Sequence, residues 1–261
     1  MPFAEVNGQR IHYSDSGGEG PAVVFSHGFF MDHEMFAPQV EELRPTYRSL
    51  SVDARGFGLT ESDGRAFTYW DLADDLVGVL DAVGVPQAVF VGLSQGGFTT
   101  LRVALRAPGR VRGIVLLDTT PDSEPEEARA LYRQTRDALV GGGWNDEFAN
   151  AMASMLFAPG FDASVWIERW KGNPPERIAP AFDALIERES VADRLGEITC
   201  PALVVRGELD ATMSAESTEA MCAALAGCDG VVTIPGAGHT ANLENHEAVN
   251  EVLRAFVVEH A

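Results

Sequence analysis

The sequence predicts an α/β fold: a mostly parallel sheet, helices on both faces, and a helical segment inserted in the second half of the chain. Three observations carry this. Short, wholly apolar runs such as "AVVF" and "AVFVG" alternate with longer amphipathic ones, as βαβ crossovers do. Glycine and proline punctuate the junctions, where the chain must turn. From 122 to 190 the alternation stops and the pattern is helical without a strand. Residues 1–121 and 191–261 are therefore expected to form one core, and 122–190 a helical cap that is not an independent domain. A chain of 261 residues is long enough for one such core.

The elements follow in order. "RIHYSDSG" reads as an edge strand after the Asn7-Gly8 turn, and "PAVVFSHG" as a short buried strand. "EMFAPQVEELRP" reads as a helix and "YRSLSVDARG" as a strand. In "TYWDLADDLVGVLDAVGV", Leu72, Leu76, Val79, Leu80 and Val83 recur at helical spacing, and Gly84 and Pro86 end the run. "QAVFVGLS" is a strand, "QGGFTTLRVALRAP" a helix stopped by Pro108, and "VRGIVLLDTT" a strand. Beyond the strand-free stretch come "CPALVVRGELD" (strand), "SAESTEAMCAAL" (helix), "GVVTIPGAGH" (strand) and "HEAVNEVLRAFVVEH" (helix).

Composition excludes several function classes. A formal charge of −20, spread along the chain, would be repelled by nucleic acid or an anionic membrane. No apolar run reaches the roughly 20 residues that span a bilayer, and the N-terminus lacks a basic start and an apolar signal core. A cytoplasmic protein is expected, of unspecified oligomeric state. Cys200, Cys222 and Cys228 show no metal-ligand spacing, and free structural thiols are the expected reading. Neither a phosphate loop nor a dinucleotide fingerprint is present, so no metal and no organic cofactor are implied.

The chemistry gathers around Ser94 in "VFVGLSQGG". The Gly92-Leu93-Ser94-Gln95-Gly96 pattern is weak alone in a chain with 26 glycines, but it follows a valine-rich strand and opens a helix. That is the context of a nucleophile held on a strained turn, with glycines where a side chain would collide. A serine needs a base. His239, in the glycine-bracketed loop "GAGHTANLEN", lies just past the last strand, at the sheet edge where Ser94 emerges. His12, His246 and His260 read as surface residues, and His27 as a brace for the loop that follows its strand. Asp210 in "VVRGELD" is the expected orienting acid, because it keeps the order Ser, Asp, His; Asp118 in "VLLDTT" is the rival. Backbone N–H groups of Gln95 and Phe29 are the expected oxyanion donors, with Gly28 letting the Phe29 backbone approach the substrate.

Together "HGFF", "DARGFGLTES", "GLSQGG", "PALVVRGELD" and "GAGHTANLEN" resemble the α/β-hydrolase superfamily, in order along nearly the whole chain. They look most like its 3-oxoadipate enol-lactonase and small esterase branch, with the cofactor-free haloperoxidases, or perhydrolases, as near neighbours. The resemblance implies an eight-stranded, mostly parallel sheet with a helical cap. It also implies hydrolysis of esters or lactones through an acyl-enzyme, while the apolar stripe of Trp144, Phe148, Met152 and Met155 in "WNDEFANAMASMLF" favours small, largely apolar substrates. Two departures stand out: Phe57 where the family usually has His, and "GLTES" with a displaced serine. Perhydrolysis, carbon–carbon bond hydrolysis, or a ligand receptor with vestigial turnover would use the same residues.

Overall fold

A computed structural model describes residues 2–61 and 63–261; Ser62, the displaced serine of "GLTES", lies outside them. Eight strands form one sheet: β1 (Phe3–Val6), β2 (Gln9–Asp15), β3 (Ala22–Ser26), β4 (Arg48–Val52), β5 (Ala88–Leu93), β6 (Val111–Leu117), β7 (Ala202–Gly207) and β8 (Cys228–Ile234). Their order across the sheet is β1-β2-β4-β3-β5-β6-β7-β8. Strands β3 to β8 are parallel, and β1 and β2 are antiparallel additions at one edge.

The helices between them are α1 (Ala37–Leu43), α2 (Tyr69–Ala82), α3 (Gln95–Arg106), α4 (Glu126–Gly142), α5 (Asp146–Leu156), α6 (Ser164–Gly172), α7 (Pro175–Ile186), α8 (Ala215–Ala224), α9 (Ala241–Glu244) and α10 (His246–His260). Local chemistry sets their ends. Thr68 and Asp71 form a reciprocal capping box at the start of α2. Gly84, at φ +70°, provides the left-handed residue just past its end.

Because side chains alternate along a strand, the sheet feeds two cores. Val23, Phe25, Val89, Val91, Val115 and Leu117 pack with Val249, Leu253 and Val257 of α10. Val24, Phe90, Ile114 and Leu116 pack instead with Leu76 and Leu80 of α2, Leu101 of α3 and Met221 of α8. Each fully buried side chain of this size contributes about 1.5–3 kcal/mol of apolar transfer, which is what holds the sheet edge rigid under the site.

Three expectations need correction. The edge strand is β1, not "RIHYSDSG", which is second in the sheet. The Asn7-Gly8 turn joins the two with positive φ at both residues. His12 is consequently no surface residue: it is fully buried, and its Nδ1 lies 2.7 Å from Asp53 Oδ2. Finally, Cys222 and Cys228 are a disulfide rather than free thiols, because the end of α8 turns directly into β8 and brings their Cα atoms to 5.4 Å. Cys200 is the free cysteine.

Helices α4 to α7 follow β6 and precede β7, and α4 packs along α7. Trp166, Trp170, Ile178 and Phe182 turn inward to join the core that contains α10. Trp170 Nε1 donates to Phe30 O at 2.7 Å, which ties these helices to the loop after β3.

Candidate active site

Ser94 stands between the last residue of β5 and the first of α3, with φ +52° and ψ −114°. A non-glycine residue pays strain for such a backbone, and the surroundings dictate it. A Cβ on Gly92 would sit 2.2 Å from Gly96 O, and one on Gly96 would sit 1.9 Å from Ser26 O. Only glycine at both positions lets α3 leave β5 so sharply. The turn is braced from β6: Ser94 N–H donates to Leu117 O at 2.9 Å, and Thr119 Oγ1 donates to Ser94 O at 2.8 Å.

His239 follows β8 and is almost buried. Its Nδ1 lies 2.9 Å from Asp210 Oδ2 and 2.8 Å from Thr212 Oγ1. Asp210 Oδ1 accepts from Thr212 N–H (2.7 Å) and Thr212 Oγ1 (2.8 Å). Burial opposes ionisation of Asp210, but the hydrogen bonds with His239 and Thr212 outweigh it and hold the carboxyl down to about 2. An ionised Asp210 fixes the Nδ1–H tautomer and leaves Nε2 unprotonated. Ser94 and His239 line one cavity without a hydrogen bond between them, a contact that tightens in many hydrolytic sites only when substrate binds.

The N–H groups of Phe29 and Gln95 have no protein acceptor among the described residues, and both residues line the same cavity. Gln95 opens α3, so the helix dipole adds to its donor strength. Gly28 meets Leu93 so closely that a Cβ there would lie 2.9 Å from Leu93 Cδ2. His27 holds the loop from behind: Ala54 N–H donates to its Nε2 (2.9 Å), and its Nδ1 lies 2.8 Å from Gly28 O. Burial pushes the His27 ring down from its ordinary value, so it stays neutral with both nitrogens engaged.

The cavity, about 170 Å³, is lined below by Phe29, Phe30, Leu93 and Phe98, and above by Leu131, Met152, Met155 and Phe182. Of the residues Trp144, Phe148, Met152 and Met155, which recur at helical spacing, Met152 and Met155 on α5 reach it, whereas Trp144 and Phe148 pack on neighbouring rings. No arginine or lysine lines it. Arg133, Arg136, Arg169 and Lys171 are paired with carboxylates elsewhere, and Glu124, at the cavity wall, accepts from Arg188 at 2.9 Å.

Two features were not legible beforehand. Glu244, on the four-residue α9, accepts from the N–H groups of Ala158 (2.7 Å), Gly238 (3.0 Å) and Thr240 (3.1 Å), clamping both sides of His239. An acid five residues after a loop histidine was its only trace. The second is a buried cluster of His12, His33 and Asp53, which has donor atoms within 4.8 Å of one another. Asp53 accepts the N–H groups of His33 (2.7 Å) and Leu59 (2.9 Å) besides facing both rings, so hydrogen bonds already fill its two oxygens. That cluster anchors the Phe29 loop to the end of β4.

A strand, a strained serine turn and a helix, with a buried acid and a histidine at the ends of later strands, define an α/β hydrolase. The model of the alpha/beta hydrolase fold matches residues 21–246, and the chain belongs to that family. It is 27% identical over 257 residues to 3-oxoadipate enol-lactonase 1 of Acinetobacter baylyi, covering 96% of this chain and 94% of that one. It is 30% identical over 254 residues to pimeloyl-[acyl-carrier protein] methyl ester esterase of Xanthomonas campestris, covering 92% and 96%. Among solved structures, a thermophilic esterase from Thermogutta terrifontis superposes with a TM-score of 0.90 at 29% identity, covering 100% and 99%.

Proposed function

We propose that this protein is a serine hydrolase of carboxylic esters or lactones that acts on small, largely neutral and apolar substrates. The observation that carries the reading is the convergence on one cavity of Ser94, held at φ +52°, and His239, oriented by Asp210. In this reading His239 Nε2 takes the Ser94 proton as Oγ attacks the carbonyl. The Phe29 and Gln95 N–H groups receive the oxyanion, and His239 returns the proton to the leaving alcohol. Water then attacks the acyl-enzyme by the same route. Helices α4 to α7 serve as the cap over the acyl group, whose walls come from Met152, Met155 and Phe182.

The lining supports this reading over that of a carboxylate-selective lactonase. A dicarboxylate substrate needs a cation to offset its desolvation, and among the described residues no arginine or lysine lines the wall, whose one acid, Glu124, is already paired with Arg188. Kinetics on a neutral aryl ester, a neutral lactone and a carboxylate-bearing lactone of equal size test this. Neutral substrates should show the higher kcat/KM. The opposite order, abolished by removing one cap arginine, would overturn the substrate assignment while leaving the triad standing.

A further inference from the structure

We propose that Asp118 is a positioning residue: it keeps its proton and donates it as a hydrogen bond to Asp210, so the acid that holds His239 is itself held. This rests on the triad reading above and deepens it. Asp118 follows β6 and is fully buried at φ +45°, a left-handed backbone uncommon outside glycine. Its Oδ1 accepts from Gly207 N–H at 2.7 Å. Asp210 N–H donates to Gly207 O at 3.2 Å, so Gly207 is bonded to both residues and the turn after β7 folds Asp210 back toward Asp118.

A capping aspartate would account for the bond to Gly207 and nothing more. It leaves Asp118 Oδ2 buried with no donor in reach, which is costly for an ionised oxygen and natural for a hydroxyl. Two adjacent buried carboxyls share a single negative charge. Asp210 carries it, because His239 and both donors of Thr212 face it, whereas Asp118 has one backbone N–H. The charged groups that act on Asp118 are Asp210 on the β7 turn and Glu244 on α9, both acids, with His239 held to Asp210 beyond. Burial first, and then the Asp210 charge, push its carboxyl well above the ordinary range.

Asparagine separates the roles, since its Oδ1 can accept from Gly207 while Nδ2 donates to Asp210 without titrating. Asp118→Leu keeps the γ-branched shape, with more bulk, but cannot donate. The expected result is turnover within about tenfold of wild type for Asp118→Asn, without the alkaline step that deprotonation of Asp118 produces. Asp118→Leu should lose about 10–100-fold more in kcat, with KM little changed. Should the leucine variant not fold, the carboxyl ¹³C resonance of Asp118, assigned by its loss in Asp118→Asn, reads the proton directly and should be that of a carboxylic acid at pH 7. An ionised Asp118 at that pH, or equal kcat in the folded Asn and Leu variants, would overturn the proposal. Failure of the triad reading is separate: Ser94→Ala would then keep turnover while the Asp118 resonance stayed protonated.

Discussion

Ser94 combines strain with exposure to the cavity, and the two effects can be measured apart. Ser94→Ala should fold and lose ester turnover on the order of 10⁶-fold if serine, histidine and acid act as one unit. Ser94→Gly should be equally inactive yet more stable by about 1 kcal/mol in urea unfolding, because glycine accepts φ +52° without penalty. Asp210→Asn should cost roughly 10⁴ in kcat by favouring the wrong tautomer of His239. The two acids contribute to stability with opposite sign. Asp210 is lowered to about 2, so its contribution is present above the unfolded value and is lost as pH falls toward 2. Asp118 is raised, so its contribution is complete at low pH and is lost as pH rises through its folded value. Asp118→Asn should therefore gain Tm relative to wild type between pH 4 and pH 8. No gain would show that Asp118 ionises normally.

At the scale of elements, the elbow is set by close contacts that the glycine pattern announces. Gly96→Ala should destabilise by at least about 3 kcal/mol, since Ser26 O is backbone and cannot move aside. Gly141→Ala, in the last turn of α4 with open space around it, should instead stabilise by up to about 1 kcal/mol. Urea midpoints of the two variants check both signs. The central strands were legible because their apolar runs are short and bounded by turns, and the serine turn because its context is local. What was missed depends on partners far along the chain. Four residues, "FAEV", are too few to show a strand period, so β1 became visible only once paired with β2. His12 reads as exposed in an edge strand, yet the Asp53 carboxylate that buries it comes 41 residues later. The Cys222–Cys228 bridge depends on how α8 meets β8, which six residues of spacing do not reveal.

The whole molecule combines a strongly acidic surface with an apolar interior site. Its formal charge of −20 disfavours anionic partners in solution, and the cavity wall offers an anion no arginine or lysine among the described residues. No described helix is long and apolar enough to cross a membrane. Strands β5 to β8 end at the candidate site, with Ser94 after β5, Asp118 after β6, Asp210 after β7 and His239 after β8. Four successive parallel strands thus deliver Ser94, Asp118, Asp210 and His239 to one edge, as open parallel sheets do, which is the arrangement the proposed mechanism needs. The central claim is that Ser94 forms a covalent acyl-enzyme, and trapping that species tests it most directly. Wild-type enzyme mixed with a p-nitrophenyl ester and acid-quenched during the burst should gain the mass of one acyl group, mapped by peptide sequencing to Ser94 and absent from Ser94→Ala. Steady hydrolysis by folded Ser94→Ala, or an acyl group on another residue, would contradict the account.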